Sequence, residues 1–174
     1  AGTVVGGQVR PGDEVVVLPS ARRSTVARIV TMDGDLERAE AGQAVTLTLA
    51  DEVDVVRGDV IATAGHRPEM TDQFTAHVVW MDAEAMMPGR RYLLQLGPST
   101  ANAQITQLKH RINVNTLEQI AASHLDMNDV AVCNLALDRP LAFDPYARNR
   151  EMGGFILSDR ISNATLGAGV IEYG

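Results

Sequence analysis

Apolar residues recur at every second position in several stretches of the chain, as expected for β-strands with one buried face. The stretches "QAVTLTLAD", "QFTAHVVWMD" and "DVAVCNLALD" show this most clearly. The residues that share an inner face there are Val45, Leu47 and Leu49, then Phe74, Ala76, Val78 and Trp80, then Cys133, Leu135 and Leu137. Short β-branched runs between glycines also favour strands over helices. The pattern therefore predicts an all-β protein.

The first part of the chain reads as about five antiparallel strands. "GTVVGGQV" and "DEVVVLPS" flank the turn signal "RPG", which predicts a hairpin. "RSTVARIVTMDGD" ends in an Asp-Gly turn with positive φ, and "QAVTLTLAD" and "RGDVIATAG" supply further strands. These elements predict a small closed antiparallel barrel over residues 1–68.

The second part also reads as strands, after the linker-like "GHRPEMTD". "TLEQIAASHLDMND" is the one predicted helix, because Thr116 and Gln119 match a capping box. Glycines Gly153 and Gly154 predict a turn into "FILSDR", and Asn163–Thr165 predicts a turn into the last strand. Residues 69–174 are therefore predicted to form a second antiparallel barrel, which makes the fold class two consecutive β-barrels.

Composition narrows the class of protein. The chain has 174 residues with 45% hydrophobic content, enough for real cores, and a net charge of −7. The charge is spread evenly, at −4 over residues 1–70 and −3 over residues 71–174, so no basic face for nucleic acid is indicated. We expect no membrane segment and no signal peptide, and the single cysteine, Cys133, suits a cytoplasmic location. The missing initial Met predicts a fragment of a longer protein.

The sequence contains no recognisable motif for catalysis or nucleotide binding. There is no G-x-x-x-x-G-K-[ST] loop, and "GAGVIEYG" has Gly167 and Gly169 without the third glycine of a dinucleotide site. Close approach of neighbouring strands is the expected role of these two glycines. Asn163–Thr165 matches a glycosylation pattern, and the predicted cytoplasmic location makes that match a chance one. We therefore predict no cofactor-binding residues in this chain.

The titratable residues also have structural interpretations. His66, His77, His110 and His124 are scattered singly, so no metal site is predicted. Asp51, Glu52 and Asp54 suit a solvated turn better than paired catalytic carboxylates. Cys133 is predicted to be a buried hydrophobe, and "SDRIS" lacks a histidine for a Ser-His-Asp arrangement. No catalytic or metal-binding residues are predicted.

Longer motifs carry a family resemblance over essentially the whole chain. "AGTVVGGQVRPGDEVVVLPS" resembles the opening of the second domain of translational-type GTPases such as elongation factor Tu, and "GGFILSDRISNATLGAGVI" resembles the end of their third domain. Val79-Trp80-Met81 and "PLAFDPYARNREMGGFILSDRISNATLGAG" resemble one branch, the large GTP-hydrolysing subunit of bacterial sulfate adenylyltransferase. Met152-Gly153-Gly154-Phe155 stands where this family often has Thr-Gly-x-Phe.

The resemblance implies a parent that couples GTP hydrolysis to the synthesis of adenylylsulfate and pyrophosphate from ATP and sulfate. It implies GTP and Mg²⁺ on the parent's own GTPase domain, which would precede this chain, and ATP on a smaller catalytic subunit. The implied partners are that subunit, the GTPase domain and, in fused forms, an adenylylsulfate kinase domain, with no nucleic acid and no membrane. The barrels would transmit conformation or hold the partner without doing chemistry.

Two alternatives stay open from the sequence. The barrels could bind tRNA in a translation-type factor, which would need a basic groove. They could also form a stand-alone adaptor. A G-x-x-x-x-G-K-[ST] motif upstream of Ala1 in the parent reading frame would favour the GTPase parent over the adaptor.

Overall fold

The computed structural model describes all 174 residues, which divide into two compact units, Ala1–Pro68 and Glu69–Gly174. Strands dominate both units, and the longest helical segment is a single turn, α1, at Arg150–Gly153. Every strand pairing is antiparallel. The prediction of an all-β fold built from antiparallel strands is therefore confirmed.

The first unit contains eight short strands: β1 Gly2–Thr3, β2 Gln8–Val9, β3 Glu14–Leu18, β4 Arg22–Thr31, β5 Gly34–Leu36, β6 Ala39–Glu40, β7 Ala44–Leu49 and β8 Val60–Thr63. The main sheet runs in the order β1-β7-β4-β3-β8, with β5 paired to β4, and β2 pairs with β6 as a separate ribbon. No ladder joins β8 back to β1, so the barrel of this unit is only partly closed. The Asp-Gly turn lies between β4 and β5 as predicted, with Gly34 at φ +112°.

The hairpin predicted across "RPG" is wrong. β3 pairs with β4 and β8, while β1 pairs with β7 and β2 with β6. The turn at Gly12 instead contacts β4, because the Gly12 N–H donates to the Val26 carbonyl at 2.7 Å. Val15, Val16 and Val17 are at most 1% exposed. Because successive side chains of a strand point to opposite faces of the sheet, three consecutive buried residues mean that β3 is covered on both faces.

The core of the first unit follows the predicted alternation of β7. Val45 belongs to a buried cluster, and Leu47 and Leu49 pack against it. The other buried members come from β2, β3, β4 and β6 and include Val15, Val26, Ile29 and Ala39.

The second unit is a closed six-stranded barrel. The unit contains seven strands, of which six form the barrel: β9 Glu69–Trp80, β10 Arg91–Leu96, β11 Ser99–Ile112, β12 Gln119–Ile120, β13 Val130–Phe143, β14 Gly154–Ser158 and β15 Thr165–Tyr173. They pair in the order β10-β14-β15-β9-β13-β11, and an additional β10–β11 pairing closes the ring, with β12 attached to β11 outside it. Closure removes the open sheet edges that would otherwise pair with other chains.

The barrel interior holds the residues that the alternation predicted. Phe74, Ala76, Val78 and Trp80 of β9, and Cys133, Leu135 and Leu137 of β13, all belong to one buried cluster. The Phe74 ring lies 5.9 Å from the Phe143 ring and 5.6 Å from the Phe155 ring, centroid to centroid. The second barrel therefore has a continuous aromatic and aliphatic core.

The helix predicted from "TLEQIAASHLDMND" is absent, and the segment forms a turn and a short hairpin. The Asn113 side chain accepts hydrogen bonds from the N–H groups of Asn115 at 2.9 Å and Thr116 at 3.3 Å, which closes a tight turn. Leu117 has φ +60°, outside the helical region. Gln119 and Ile120 then pair with β11 as strand β12. Local side-chain hydrogen bonds at Asn113 therefore override the capping-box signal.

Candidate functional site

The candidate site lies where three connections leave one end of the second barrel. They are residues 81–90 between β9 and β10, residues 113–129 between β11 and β13, and residues 159–164 between β14 and β15. We call this the loop end. Backbone hydrogen bonds tie it together, because the Met81 N–H donates to the Leu166 carbonyl and the Asn128 N–H donates to the Trp80 carbonyl, at 2.8 and 2.7 Å.

Two buried aromatic residues support the loop end. The Trp80 indole is 1% exposed and packs edge-on against the Tyr92 ring at 5.4 Å, and its Nε1–H donates to the Glu84 carbonyl oxygen at 2.7 Å. Tyr92 is 2% exposed, and its hydroxyl is buried beside the Met87 backbone, which forms a hydrogen bond with it. Burial raises the pKa of this phenol, and the nearby Met87 backbone and Arg90 guanidinium offset the rise only in part.

A small cavity of about 170 Å³ opens at this end. Residues of the β9–β10 and β14–β15 connections and of the strands beside them line it, namely Trp80, Asp82, Glu84, Arg90, Tyr92, Asp159, Ser162, Ala164 and Leu166. The Arg90 guanidinium pairs with the Glu84 carboxylate at 2.8 Å and lies 5.9 Å from the centre of the Tyr92 ring. Hydrogen bonding to Glu84 raises the pKa of Arg90, and the nearby Asp159 carboxylate acts in the same direction, so the guanidinium stays charged.

Asp159 shapes the turn that forms one wall of the cavity. Its Oδ1 accepts hydrogen bonds from the N–H groups of Ile161 at 2.8 Å and Ser162 at 2.9 Å, and Asn163 adopts φ +60°. Backbone hydrogen bonds from Ser162 and Ile161 hold the pKa of Asp159 below its ordinary value. The predicted turn before the last strand is therefore confirmed, and its carboxylate is ionised at neutral pH.

Exposed apolar side chains lie in all three connections of the loop end. Of ten large apolar residues that are exposed in the second unit, six lie in the three connections of the loop end: Met81, Met87, Val114, Leu117, Met127 and Ile161. Ile161 is 95% exposed at the tip of its turn. Clustered exposed apolar side chains are typical of surfaces that contact other proteins.

Gly167 and Gly169 of strand β15 have a structural role, as predicted. A Cβ at Gly167 would lie 2.8 Å from the Val79 carbonyl oxygen and 3.2 Å from the Trp80 ring. A Cβ at Gly169 would lie 2.8 Å from the His77 carbonyl oxygen and overlap the Phe155 ring. Gly154 begins strand β14, and the segment before it is the helical turn α1, which replaces the simple turn that Gly153 and Gly154 predicted.

The remaining candidate residues lie apart from one another. Cys133 is fully buried, and burial raises the pKa of its thiol to about 12, which confirms the prediction of a small core hydrophobe. Asp51, Glu52 and Asp54 lie in the β7–β8 connection, as predicted. Asp51 accepts a hydrogen bond from the Ser24 hydroxyl at 3.0 Å. The three acidic residues therefore lie in a loop between two strands, where Asp51 bonds to a side chain of β4.

The histidines occupy separate positions on the surface or at its edge. His77 is half-buried, and its Nδ1 lies 3.2 Å from a Glu172 carboxylate oxygen. His110 is half-buried, and His124 Nε2 lies 3.5 Å from Asp126. No three His, Cys, Asp or Glu side chains are grouped so that they could hold a metal ion.

Sequence reasoning missed the loop-end cavity. Its lining residues come from positions 80–92 and 159–166, which no local motif connects. The only available signals were Trp80 at the end of an alternating strand and the turn at Asn163. Pairing of β9 with β15 and of β10 with β14 brings the two segments together.

Two family models match the chain. "Elongation factor Tu domain 2" covers residues 1–62, and "GTP-eEF1A C-terminal domain-like" covers residues 73–172. A solved structure of Sup35 in complex with GDP has a TM-score of 0.88 at 18% identity, covering 98% of this chain and 42% of the Sup35 chain. At that identity the Sup35 match shows the fold alone, which is the predicted pair of translation-factor barrels.

Three curated relatives have a much higher identity to the chain than the Sup35 structure. The "Bifunctional enzyme CysN/CysC" of Xylella fastidiosa is 55% identical over 99% of this chain, and the "Bifunctional enzyme NodQ" of Rhizobium sp. is 52% identical over 99%. "Sulfate adenylyltransferase subunit 1" of Aeromonas salmonicida is 48% identical over the whole chain. The chain spans only 28%, 27% and 37% of these relatives' own lengths, respectively.

No helix of the structure has the length and apolar character needed to cross a membrane. The family models and the relatives together cover both units. The chain belongs to the family of elongation-factor-type β-barrel domains, and within it to the barrel region of the sulfate adenylyltransferase subunit 1 and CysN/CysC group.

Proposed function

We propose that this chain is the non-catalytic barrel region of the GTP-hydrolysing subunit of a cytoplasmic sulfate adenylyltransferase. The observation that carries the proposal is the identity of 47–55% over essentially the whole chain to relatives of the group named above. The parent would form adenylylsulfate and pyrophosphate from ATP and sulfate, driven by GTP hydrolysis. GTP and Mg²⁺ would bind the parent's GTPase domain, and ATP would bind a smaller catalytic subunit.

The barrels would act in this enzyme as a rigid element between two sites of chemistry. A GTPase switch works by ordering and disordering loops that contact neighbouring surfaces. The switch loops can contact the surface of a closed barrel. Because a densely packed interior transmits strain, that surface would move as a unit. The closed ring of the second unit and its aromatic core support this role.

Partners follow from the same relatives. The name "subunit 1" implies at least one further subunit in those enzymes, and "bifunctional" implies a second activity within one polypeptide. We propose that the parent of this chain contacts a smaller catalytic subunit and its own GTPase domain. In a fused form it would also carry an adenylylsulfate kinase domain.

The experiment deletes residues 1–174 of this chain from the full-length parent. The shortened parent is then combined with the smaller subunit. Adenylylsulfate formation is measured with and without GTP, and GTP binding by the remaining GTPase domain is measured as the control for its folding. We expect the deletion to abolish GTP stimulation while GTP binding persists. GTP-stimulated synthesis that survives the deletion would contradict the proposal.

A further inference from the structure

We propose that the open side of the first barrel, between β1 and β8, is a docking surface for one further β-strand, and that parent residues preceding Ala1 supply this strand. The proposal rests on the proposed function only for the presence of parent residues before Ala1. Four observations carry it: the direction of the strands, the burial of the core, the composition of the open edges and the register of β1.

The directions of the strands leave the ring of the first unit one strand short. Every neighbouring pair in the order β1-β7-β4-β3-β8 is antiparallel, so the two end strands, β1 and β8, run in the same direction. A ring in which all neighbours are antiparallel needs an even number of strands, and the ring of the second unit has six. One added strand, antiparallel to both β1 and β8, would complete a six-stranded ring.

The core of the first unit is less buried towards its open side. Val15 of β3 and Val26 of β4 are each 1% exposed. Leu47 and Leu49 of β7 and Ile61 of β8 pack against the same core but are only partly buried. Because burial of apolar surface is favourable, a strand that covers these side chains would stabilise the unit.

The two open edges lack the residues that commonly keep an edge strand from pairing with other strands. Charged side chains and prolines usually provide this protection. β8 has the sequence Val-Ile-Ala-Thr, and no strand pairs with its edge away from β3. In β7, the stretch Thr46–Leu49 has the sequence Thr-Leu-Thr-Leu and pairs only with β4. Edges without charge or proline are expected to be paired in the intact protein.

The register of β1 shows which part of β7 the preceding residues would cover. Gly2 lies opposite Val45, so the antiparallel continuation of β1 towards the parent's preceding residues runs along Thr46–Leu49. Thr48 lies in this stretch, and its buried hydroxyl has no hydrogen-bond partner within the chain. Buried polar atoms are nearly always hydrogen-bonded in folded proteins, so a partner from the added residues would satisfy this hydroxyl.

The position of the open side identifies the occupant. Covering β7 as far as Leu49 takes about three residues before Ala1, a hairpin turn takes about 2–5, and a strand about 5–6. The added strand is therefore expected within about 15 residues before Ala1. A hairpin of this kind needs no long connection, which favours these residues over a separate chain. Alternate residues of the strand should be apolar, because one of its faces would lie on the core.

The first test measures backbone hydrogen exchange in the full-length parent by mass spectrometry. One variant replaces the core-facing residues of the added strand by serine, and its matched control replaces the same number of residues on the other face. We expect the core-facing variant to exchange the amides of β8 at least about tenfold faster than the unmodified parent. The control should exchange them at the parent's rate, and β13 in the second unit should be unaffected in both variants.

A cysteine cross-link tests the contact itself. Val60→Cys on β8 is combined with a single cysteine at each position of the added strand in turn. Disulfides require Cα atoms about 4.4–6.8 Å apart, so we expect cross-links only at positions of one face, two residues apart. Met32→Cys serves as the control, because its side chain is fully exposed in the β4–β5 turn and should cross-link at none of these positions.

Each result distinguishes the strand from other occupants. Unchanged exchange at β8 in the core-facing variant would overturn the inference, and so would cross-links that form equally with Val60→Cys and Met32→Cys. Amides of β8 that become protected only after the smaller subunit is added would also overturn it, because the occupant is then a separate chain. All three results leave the proposed function standing. A parent without a G-x-x-x-x-G-K-[ST] motif before Ala1 would contradict the proposed function and leave the closure of the barrel unaffected.

Discussion

Replacement of Gly169 by alanine should destabilise the second barrel, because the strand cannot accommodate a Cβ at this position. The added carbon would lie 2.8 Å from the His77 carbonyl oxygen and overlap the Phe155 ring. The carbonyl belongs to the backbone of β9, and the ring is 3% exposed and packs against Phe74. Neither neighbour can move without disturbing the barrel core.

The magnitude follows from the number of rigid contacts. Overpacking of a core by a methyl group typically costs about 1–3 kcal/mol, whereas alanine gains about 0.4–1 kcal/mol over glycine from the entropy of the unfolded chain. We therefore expect a net loss of about 1–2 kcal/mol, which lowers the melting temperature by about 2–8 °C for a chain of this length.

The assay is differential scanning calorimetry of the whole chain, with Gly65→Ala as the matched control. At Gly65 an added Cβ would have no atom within 4 Å and the backbone φ is not positive, so this replacement should not lower the melting temperature. If Gly169→Ala melts at the same temperature as the Gly65→Ala control, the close approach of β9 and β15 does not constrain this position. The structural role assigned to Gly167 and Gly169 would then be wrong.

Four further expectations follow from the second barrel and from the charge of the chain. Tyr92→Phe should lower the melting temperature by only a few degrees, because the buried hydroxyl that it removes has a backbone hydrogen bond with Met87, and such a bond typically contributes about 0.5–1.5 kcal/mol. Cys133 should resist a thiol reagent at pH 8 in the folded chain and react after denaturation, because burial raises its pKa to about 12 and the thiol stays protonated. The carboxyl group of Asp159 should titrate by NMR with a pKa below its ordinary value of 3.8. Its contribution to the stability of the fold is fully present above the unfolded-state pKa and is lost as the pH falls through the lower folded-state pKa. Filter binding of tRNA to this chain should show neither tight association nor the steep salt dependence that phosphate contacts produce, and finding both would favour the tRNA-binding alternative.

Much of the fold could be predicted because strand alternation is a local signal. The faces of β7, β9 and β13 follow directly from residues two positions apart, and the positive φ at Gly34 follows from one dipeptide. The partners of β3 could not be predicted in the same way. Its neighbours β4 and β8 lie at different distances along the chain, and the "RPG" turn is compatible with either arrangement.

The candidate site was beyond sequence reasoning for a related physical reason. Trp80 and Asp159 are separated by most of the second unit, and only the closure of the barrel brings their connections together. The failed helix prediction at Thr116 shows the opposite limit. There a local signal was present, but hydrogen bonds to the neighbouring Asn113 side chain determine the backbone.

The most direct test of coupling by the barrels replaces residues 1–174 in the full-length parent by the corresponding barrels of Sup35, which keep the fold at 18% identity. The measurement is the amount of adenylylsulfate formed per GTP hydrolysed in the presence of the smaller subunit. We expect that the chimera still hydrolyses GTP but that hydrolysis no longer drives adenylylsulfate synthesis. A chimera that couples the two reactions as well as the parent does would contradict the claim that these particular barrel surfaces carry the coupling.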